Sequence, residues 1–120
     1  MLTMVVERAK WLRGEGSHTS YLLRHSDGKM CCLGFVCVTA GMTPEQISGL
    51  TAPASLVSVG RPIPAAVERL LDYNGTAVVV DSVITVSMMT TNDAEDVLGA
   101  DREAQLQASG LEVGIQFTFV

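Results

Sequence analysis

The sequence predicts an α+β fold in which a small sheet of about three strands is covered on one side by helices. Three observations support this prediction. The last ten residues, "LEVGIQFTFV", alternate apolar and polar side chains as a strand does. The stretch "MTPEQISGL" begins like a helix over 43–48, with Thr43 as N-cap and Pro44 at the first position. The length of 120 residues and the apolar fraction of 48% suit one globular domain, residues 1–120.

The N-terminal segment is predicted to begin with a helix over residues 3–13. The apolar side chains of Val5, Ala9 and Leu12 recur there at helical spacing, and a glycine follows. The short apolar stretch at residues 20–24 is flanked by turn residues, which predicts a strand.

The nearly unbroken apolar run at residues 29–40 is predicted to be a buried helix. The run is long for a strand, which typically has about five or six residues. Asp27 stands where it can cap the start, and Gly41 suits the end.

The second half of the chain is predicted to alternate between helices and strands. We place the element boundaries from the spacing of apolar residues, the content of β-branched residues and the positions of Gly and Pro. The predicted elements are a loop at 51–62, an amphipathic helix at 63–75, a strand at 83–91, a helix at 100–109 and a strand at 111–120.

The net charge of −5 is spread unevenly along the chain. Residues 1–60 carry five basic and four acidic groups, and residues 61–120 carry three basic and nine acidic groups. We therefore expect no direct nucleic-acid binding, since that function requires a basic face. An acidic surface favours basic protein partners. The low charged fraction of 18% leaves a homodimer open.

The sequence predicts neither a membrane span nor a secretory signal. No apolar run reaches the roughly 18 residues that a bilayer crossing needs, and the first charges follow the first apolar residues. Three cysteines, two of them adjacent, do not form a disulfide framework. The expected location is the cytoplasm.

The adjacent cysteines in "GKMCCLGF" raise the question of a catalytic thiol. A thiol at a helix N-terminus can be activated when a histidine acts as base and a carboxylate orients it. The alternative, which we favour, is that the cysteines are small apolar side chains on a buried helix. The residues available for catalysis are Cys31, Cys32, His18, His25, Asp27 and Asp93.

An acidic run at residues 91–103 is the candidate surface for a protein partner. It has two interpretations, a solvated loop followed by an acidic helix start, or a surface presented to a basic partner. Trp11 is a candidate anchor for an interface, although a position against the core is the favoured alternative. The acidic residues concerned are Asp93, Glu95, Asp96, Asp101 and Glu103.

Metal and cofactor sites are not predicted. The acidic run does not match the spacing of a calcium loop, and adjacent cysteines on a helix diverge by about 100° instead of converging on zinc. The segment "RGEGSH" lacks the phosphate-loop pattern. A small-ligand or nucleotide site using Arg13, Arg24 or Lys29 as anion contacts stays open as an alternative.

Several stretches together resemble a group of small phage and prophage proteins with no established activity. The stretches that carry the resemblance are "WLRGEG", "SYLLR", "DGKMCCLGF", "GMTPEQISG" and "REAQL", with the closing G-I-x-F-x-F-V. The resemblance implies an accessory protein that acts in the bacterial cytoplasm on a host protein. An inhibitor of a host defence system, of the anti-CRISPR kind, is its most concrete form. A cysteine-dependent enzyme and a ligand-binding module are the alternatives.

Overall fold

The computed structural model describes residues 1–14, 21–74, 78–95 and 97–120. It confirms an α+β fold, with helices around small sheets. The strands are β1 Leu2–Val6, β2 Leu71–Asn74, β3 Val78–Asp81 and β4 Ile115–Phe119. The helices are α1 Cys32–Thr39, α2 Pro44–Ile47, α3 Pro53–Ser58, α4 Ala65–Glu68, α5 Val83–Asp93 and α6 Gly99–Glu112, with a 3-10 turn at Arg8–Lys10.

The first sheet joins the two ends of the chain. β1 and β4 pair in parallel, with Leu2 opposite Ile115 and Val6 opposite Phe119. Alternate side chains of both strands face the core, so the alternation predicted near the C-terminus is confirmed from Ile115 onward.

The helix predicted at residues 3–13 is wrong, because the chain forms β1 there. Met4 and Val6 point into the core while Thr3 and Val5 point outward, so the buried positions have a period of two. The partner strand β4 lies more than a hundred residues away, and the residues near β1 do not predict a pairing over that distance. The predicted strand at 20–24 is also wrong in its described part, where Leu23 makes only an isolated bridge with Ser48.

The buried helix predicted at residues 29–40 is confirmed as α1. Gly41, with a φ of 105°, lies just past its end as predicted. The start is different, since Cys31 and not Asp27 occupies the N-cap position. Gly34 faces the backbone of Leu22, and a Cβ there would overlap the Leu22 carbonyl oxygen. The glycine in "CCLGF" therefore allows two backbone segments to meet.

The region between α1 and β2 contains more short helices than predicted. α2 is confirmed, and its start is held by the Thr43 N–H donating to Gln46 Oε1 at 2.9 Å. The predicted loop at 51–62 instead contains α3. The predicted helix at 63–75 shrinks to α4, after which the chain turns into the β2–β3 hairpin.

The strand predicted at residues 83–91 is wrong, because β-branched residues there belong to α5. Ser82 caps the helix by accepting the Thr85 N–H at 3.2 Å. Thr85, Met88 and Asn92 are buried at helical spacing, so packing overrides the β propensity. The helix predicted at 100–109 is confirmed as α6, which continues beyond Gly110 because that glycine packs against Phe117.

Candidate functional site

The cysteine pair lies at the start of α1, inside the protein. Cys31, Cys32 and Cys37 are free thiols and all three are buried. Burial raises the pKa of Cys31 to about 11 and that of Cys37 to about 12, and it raises the pKa of Cys32 well above its usual range. The three thiols are therefore neutral at pH 7, whereas nucleophilic attack requires a thiolate.

A small, partly open cavity of about 30 Å³ adjoins the two adjacent thiols. The N–H groups of Gly34 and Leu33 lower the pKa of Cys31, but burial and the nearby Asp93 carboxylate outweigh them. The cavity has room for little more than a water molecule. The described residues around it are Cys31, Cys32, Leu33, Thr51, Met89, Asn92 and Asp93.

The candidate bases for these thiols are not brought to them by the described structure. His18 lies outside the described residues. His25 sits in an exposed turn and lines a separate shallow groove with Tyr21 and Arg24. Among the candidate orienting carboxylates, Asp93 reaches the thiol cavity. Asp27 instead pairs with Arg24 at 2.6 Å, and this hydrogen bond lowers the Asp27 pKa to about 2.

Asn92 is the centre of a buried hydrogen-bond network. Its Oδ1 accepts from Trp11 Nε1 at 2.7 Å and from the Cys32 N–H at 3.1 Å. Its Nδ2 donates to the Leu12 carbonyl at 3.0 Å and to Asp93 Oδ1 at 3.0 Å. One side chain therefore ties the start of α1 to the segment that follows β1. The sequence held a signal for it, because Thr85, Met88 and Asn92 recur at helical spacing.

Arg102 supports the connection between α5 and α6 from within. Its side chain is 5% exposed, and it donates to three backbone carbonyls. The distances are 2.8 Å to Asn92, 2.6 Å to Ala94 and 3.0 Å to Val97. Three charge-assisted hydrogen bonds from one buried guanidinium thus hold the backbone at Asn92, Ala94 and Val97. Sequence reasoning missed Arg102, because nothing local marks it as buried.

The acidic residues predicted to form one partner surface have different environments. Glu103 accepts two hydrogen bonds from Arg8, at 2.7 and 2.8 Å, which lower the Glu103 pKa. Asp93 is half-buried beside Asn92. Glu95 and Asp101 are exposed, and Asp96 lies outside the described residues.

An exposed leucine lies between the two exposed carboxylates. Leu98, at the N-cap position of α6, is 74% exposed. Glu95, Leu98 and Asp101 together are called the Leu98 surface below. Leu98 and its flanking carboxylates are a candidate contact surface, because protein interfaces combine an apolar centre with a polar rim.

Trp11 belongs to the core, so the interface anchor expected at this position is corrected. The side chain is 3% exposed and its Nε1 is bonded to Asn92. Its ring lies 4.8 Å from that of Phe119. The Arg13 guanidinium covers the ring at 4.4 Å from its centroid, so this candidate anion contact stabilises the core instead.

Comparison with protein-family models, curated proteins and solved structures gave no match. Within the described residues, no group of three or more His, Cys, Asp or Glu side chains is arranged to hold a metal ion. Among the helices of that same part of the chain, none has the length and apolar character needed to cross a bilayer.

Proposed function

We propose that this protein works by binding another protein, and that the Leu98 surface makes the contact. Its partner is a host protein with a basic face, and its action is that of a phage accessory factor that inhibits a host defence system in the bacterial cytoplasm. The host context rests on the sequence resemblance alone. The binding function rests on the geometry described below.

The observation that carries the proposal is the rigid support beneath Leu98. The chain on its N-terminal side is fixed by Arg102 through the carbonyls of Ala94 and Val97. On its C-terminal side the chain enters α6 directly. A backbone that is already ordered loses less entropy on binding, so burial of the Leu98 side chain contributes more to affinity.

The charge around Leu98 defines the partner. Glu95 and Asp101 are both exposed, and the chain as a whole carries −5. A basic surface of the kind found on proteins that handle nucleic acids is complementary to this arrangement. Association should therefore weaken as the salt concentration rises.

The test is affinity capture from a lysate of the bacterial host, with partners identified by mass spectrometry. The variant Glu95→Lys/Leu98→Asp/Asp101→Lys should lose a partner that the wild-type protein captures. The control Glu45→Lys/Leu111→Asp/Glu112→Lys makes the same charge change at exposed sites elsewhere and should keep it. Equal capture of the partner by both variants would show that the Leu98 surface does not make the contact.

A cysteine-dependent enzyme is the second candidate, favoured by one observation. Cys31 at the N-cap of α1 lines a cavity together with Asp93, which could orient a base, although the Asp93 charge also raises the Cys31 pKa. Iodoacetamide labelling followed by mass spectrometry distinguishes the two functions. A binding protein should label at Cys31 only under denaturing conditions, whereas a nucleophile should label rapidly in the folded state.

A further inference from the structure

A second surface lies on the β2–β3 hairpin and the first turns of α5. Residues 70–101 contain no lysine, arginine or histidine. They contain six acidic residues, which are Asp72, Asp81, Asp93, Glu95, Asp96 and Asp101. Four of these six lie at or after the C-terminal end of α5, so the hairpin and the first turns of α5 contribute Asp72 and Asp81 and no basic side chain of their own.

The hairpin and the start of α5 also expose a concentration of large apolar side chains. Four of them fall within nine residues. Their exposed fractions are 55% for Val78, 37% for Val80, 82% for Val83 and 49% for Val86. Single exposed apolar residues are ordinary, whereas such a concentration marks an interaction site.

The pairing of the hairpin separates an inner face from an outer face. Leu71 is opposite Asp81 and both are at least half-buried, with Asp81 Oδ1 accepting the Ala54 N–H at 2.9 Å. Asp72 is opposite Val80, so their side chains share the other face. Val78 is two residues from Val80 and lies on that outer face too. The contacts of Leu71 and Asp81 with the rest of the protein thus leave the face with Asp72, Val78 and Val80 exposed.

We propose that this outer face binds a basic, extended segment of a partner protein. Aliphatic side chains of that segment would contact Val80, Val83 and Val86, and its lysine or arginine side chains would pair with Asp72. Charge complementarity favours a basic partner protein over a second copy of this chain. A second copy of this chain would bring the same acidic residues against each other, which is unfavourable.

This surface is separate from the Leu98 surface and does not depend on it. The hairpin precedes α5, and Glu95 and Leu98 follow it. The eleven residues of α5 span about 16 Å at 1.5 Å per residue. Substitutions at one end can therefore test one surface while leaving the other unchanged.

The experiment is an NMR titration of the full chain, labelled with 15N, with a short peptide of alternating lysine and valine. A peptide of alternating glutamate and valine is the matched control. The basic peptide should shift the amide signals of β2, β3 and the first two turns of α5, with saturation in the sub-millimolar range. The acidic peptide should leave these signals unchanged, and added salt should weaken binding of the basic one.

Two variants and one control make the result specific. Val86→Ser removes an apolar contact from the exposed helix face without adding charge, and it should weaken binding of the basic peptide by about fivefold. The control Leu111→Ser, at a residue of similar exposure on α6, should not. Asp72→Asn keeps the oxygen that accepts the Tyr73 N–H at 3.1 Å, so folding is preserved while the charge is lost. This variant should weaken binding of the basic peptide as well.

Three outcomes would overturn the proposal. The first is a basic peptide that produces no saturable shifts, or shifts only around Glu95 and Leu98. The second is equal binding of the acidic peptide. The third is a wild-type dimer in sedimentation analysis that Val86→Ser dissociates, which would assign the face to a second copy.

Discussion

Residues 92–102 have an inner and an outer side with opposite properties. On the inner side, Asn92 and Arg102 are buried, and between them they make hydrogen bonds to several segments of the chain. On the outer side, Glu95, Leu98 and Asp101 are exposed. The inner side stabilises the fold and positions the outer side, which we propose contacts a partner.

The comparison shows that acidity in the sequence does not by itself define a binding surface. Of the residues in the acidic run, Glu103 is paired with Arg8 and Asp93 borders the thiol cavity. Two carboxylates of the described run project outward beside an apolar side chain. Binding should depend on those two, and stability should depend on the inner residues.

The largest expected effect separates a buried glycine of α1 from an exposed glycine at the start of α6. Gly34→Ala would drive a Cβ into the Leu22 carbonyl oxygen, so unfolding free energy should fall by about 3–5 kcal/mol. Gly99→Ala, at the open start of α6, meets nothing within 4 Å and should be neutral or slightly stabilising. Urea unfolding of both variants checks this. A Gly34→Ala protein as stable as Gly99→Ala would show that the close approach to Leu22 is not required.

The sequence predicted elements whose signals are local and missed those fixed by distant contacts. Thr43 and Pro44 mark α2 by themselves, and the length of the run at 29–40 marks α1. β1 depends on a partner at the other end of the chain, and α5 depends on packing that overrides its β-branched residues. The role of Arg102 was also hidden, because its burial depends on how α6 meets the α5 connection.

Removal of the Asn92 side chain should have the next largest effect. Asn92→Ala leaves Trp11 Nε1, the Cys32 N–H and the Leu12 carbonyl without their buried partner. Stability should fall by about 3 kcal/mol. Thr90→Ala, on the exposed side of the same helix, is the control and should change it by no more than about 0.5 kcal/mol. Equal urea midpoints for the two variants would show that the hydrogen bonds of Asn92 do not stabilise the fold.

Alkaline pH should lower the unfolding free energy because the three buried thiols of α1 and its N-cap resist ionisation in the folded state. Each thiol has a folded pKa above its unfolded value, so the unfolded chain loses protons first as the pH rises. Stability is therefore complete below about pH 8 and falls as the pH rises toward 11. Cys37→Ala should make the loss between pH 8 and pH 10 smaller by about 1 kcal/mol. An unchanged slope in urea unfolding under reducing conditions would contradict the raised pKa.

The smallest expected effect separates the exposed Glu95 from Glu103, which is paired with Arg8. Glu103→Gln weakens the two-bond pair with Arg8 and should cost about 0.5–1 kcal/mol, an effect that salt reduces. Glu95→Gln should leave stability unchanged while weakening capture of the partner. The assignment of the two roles would be reversed if Glu103→Gln alone lost the partner.

The most direct measurement pairs urea unfolding with partner capture on the Glu95→Lys/Leu98→Asp/Asp101→Lys variant. We expect this variant to have an unfolding free energy within about 1 kcal/mol of wild type and to lose the captured partner. Retention of the partner at wild-type level by the folded variant would contradict binding through the Leu98 surface.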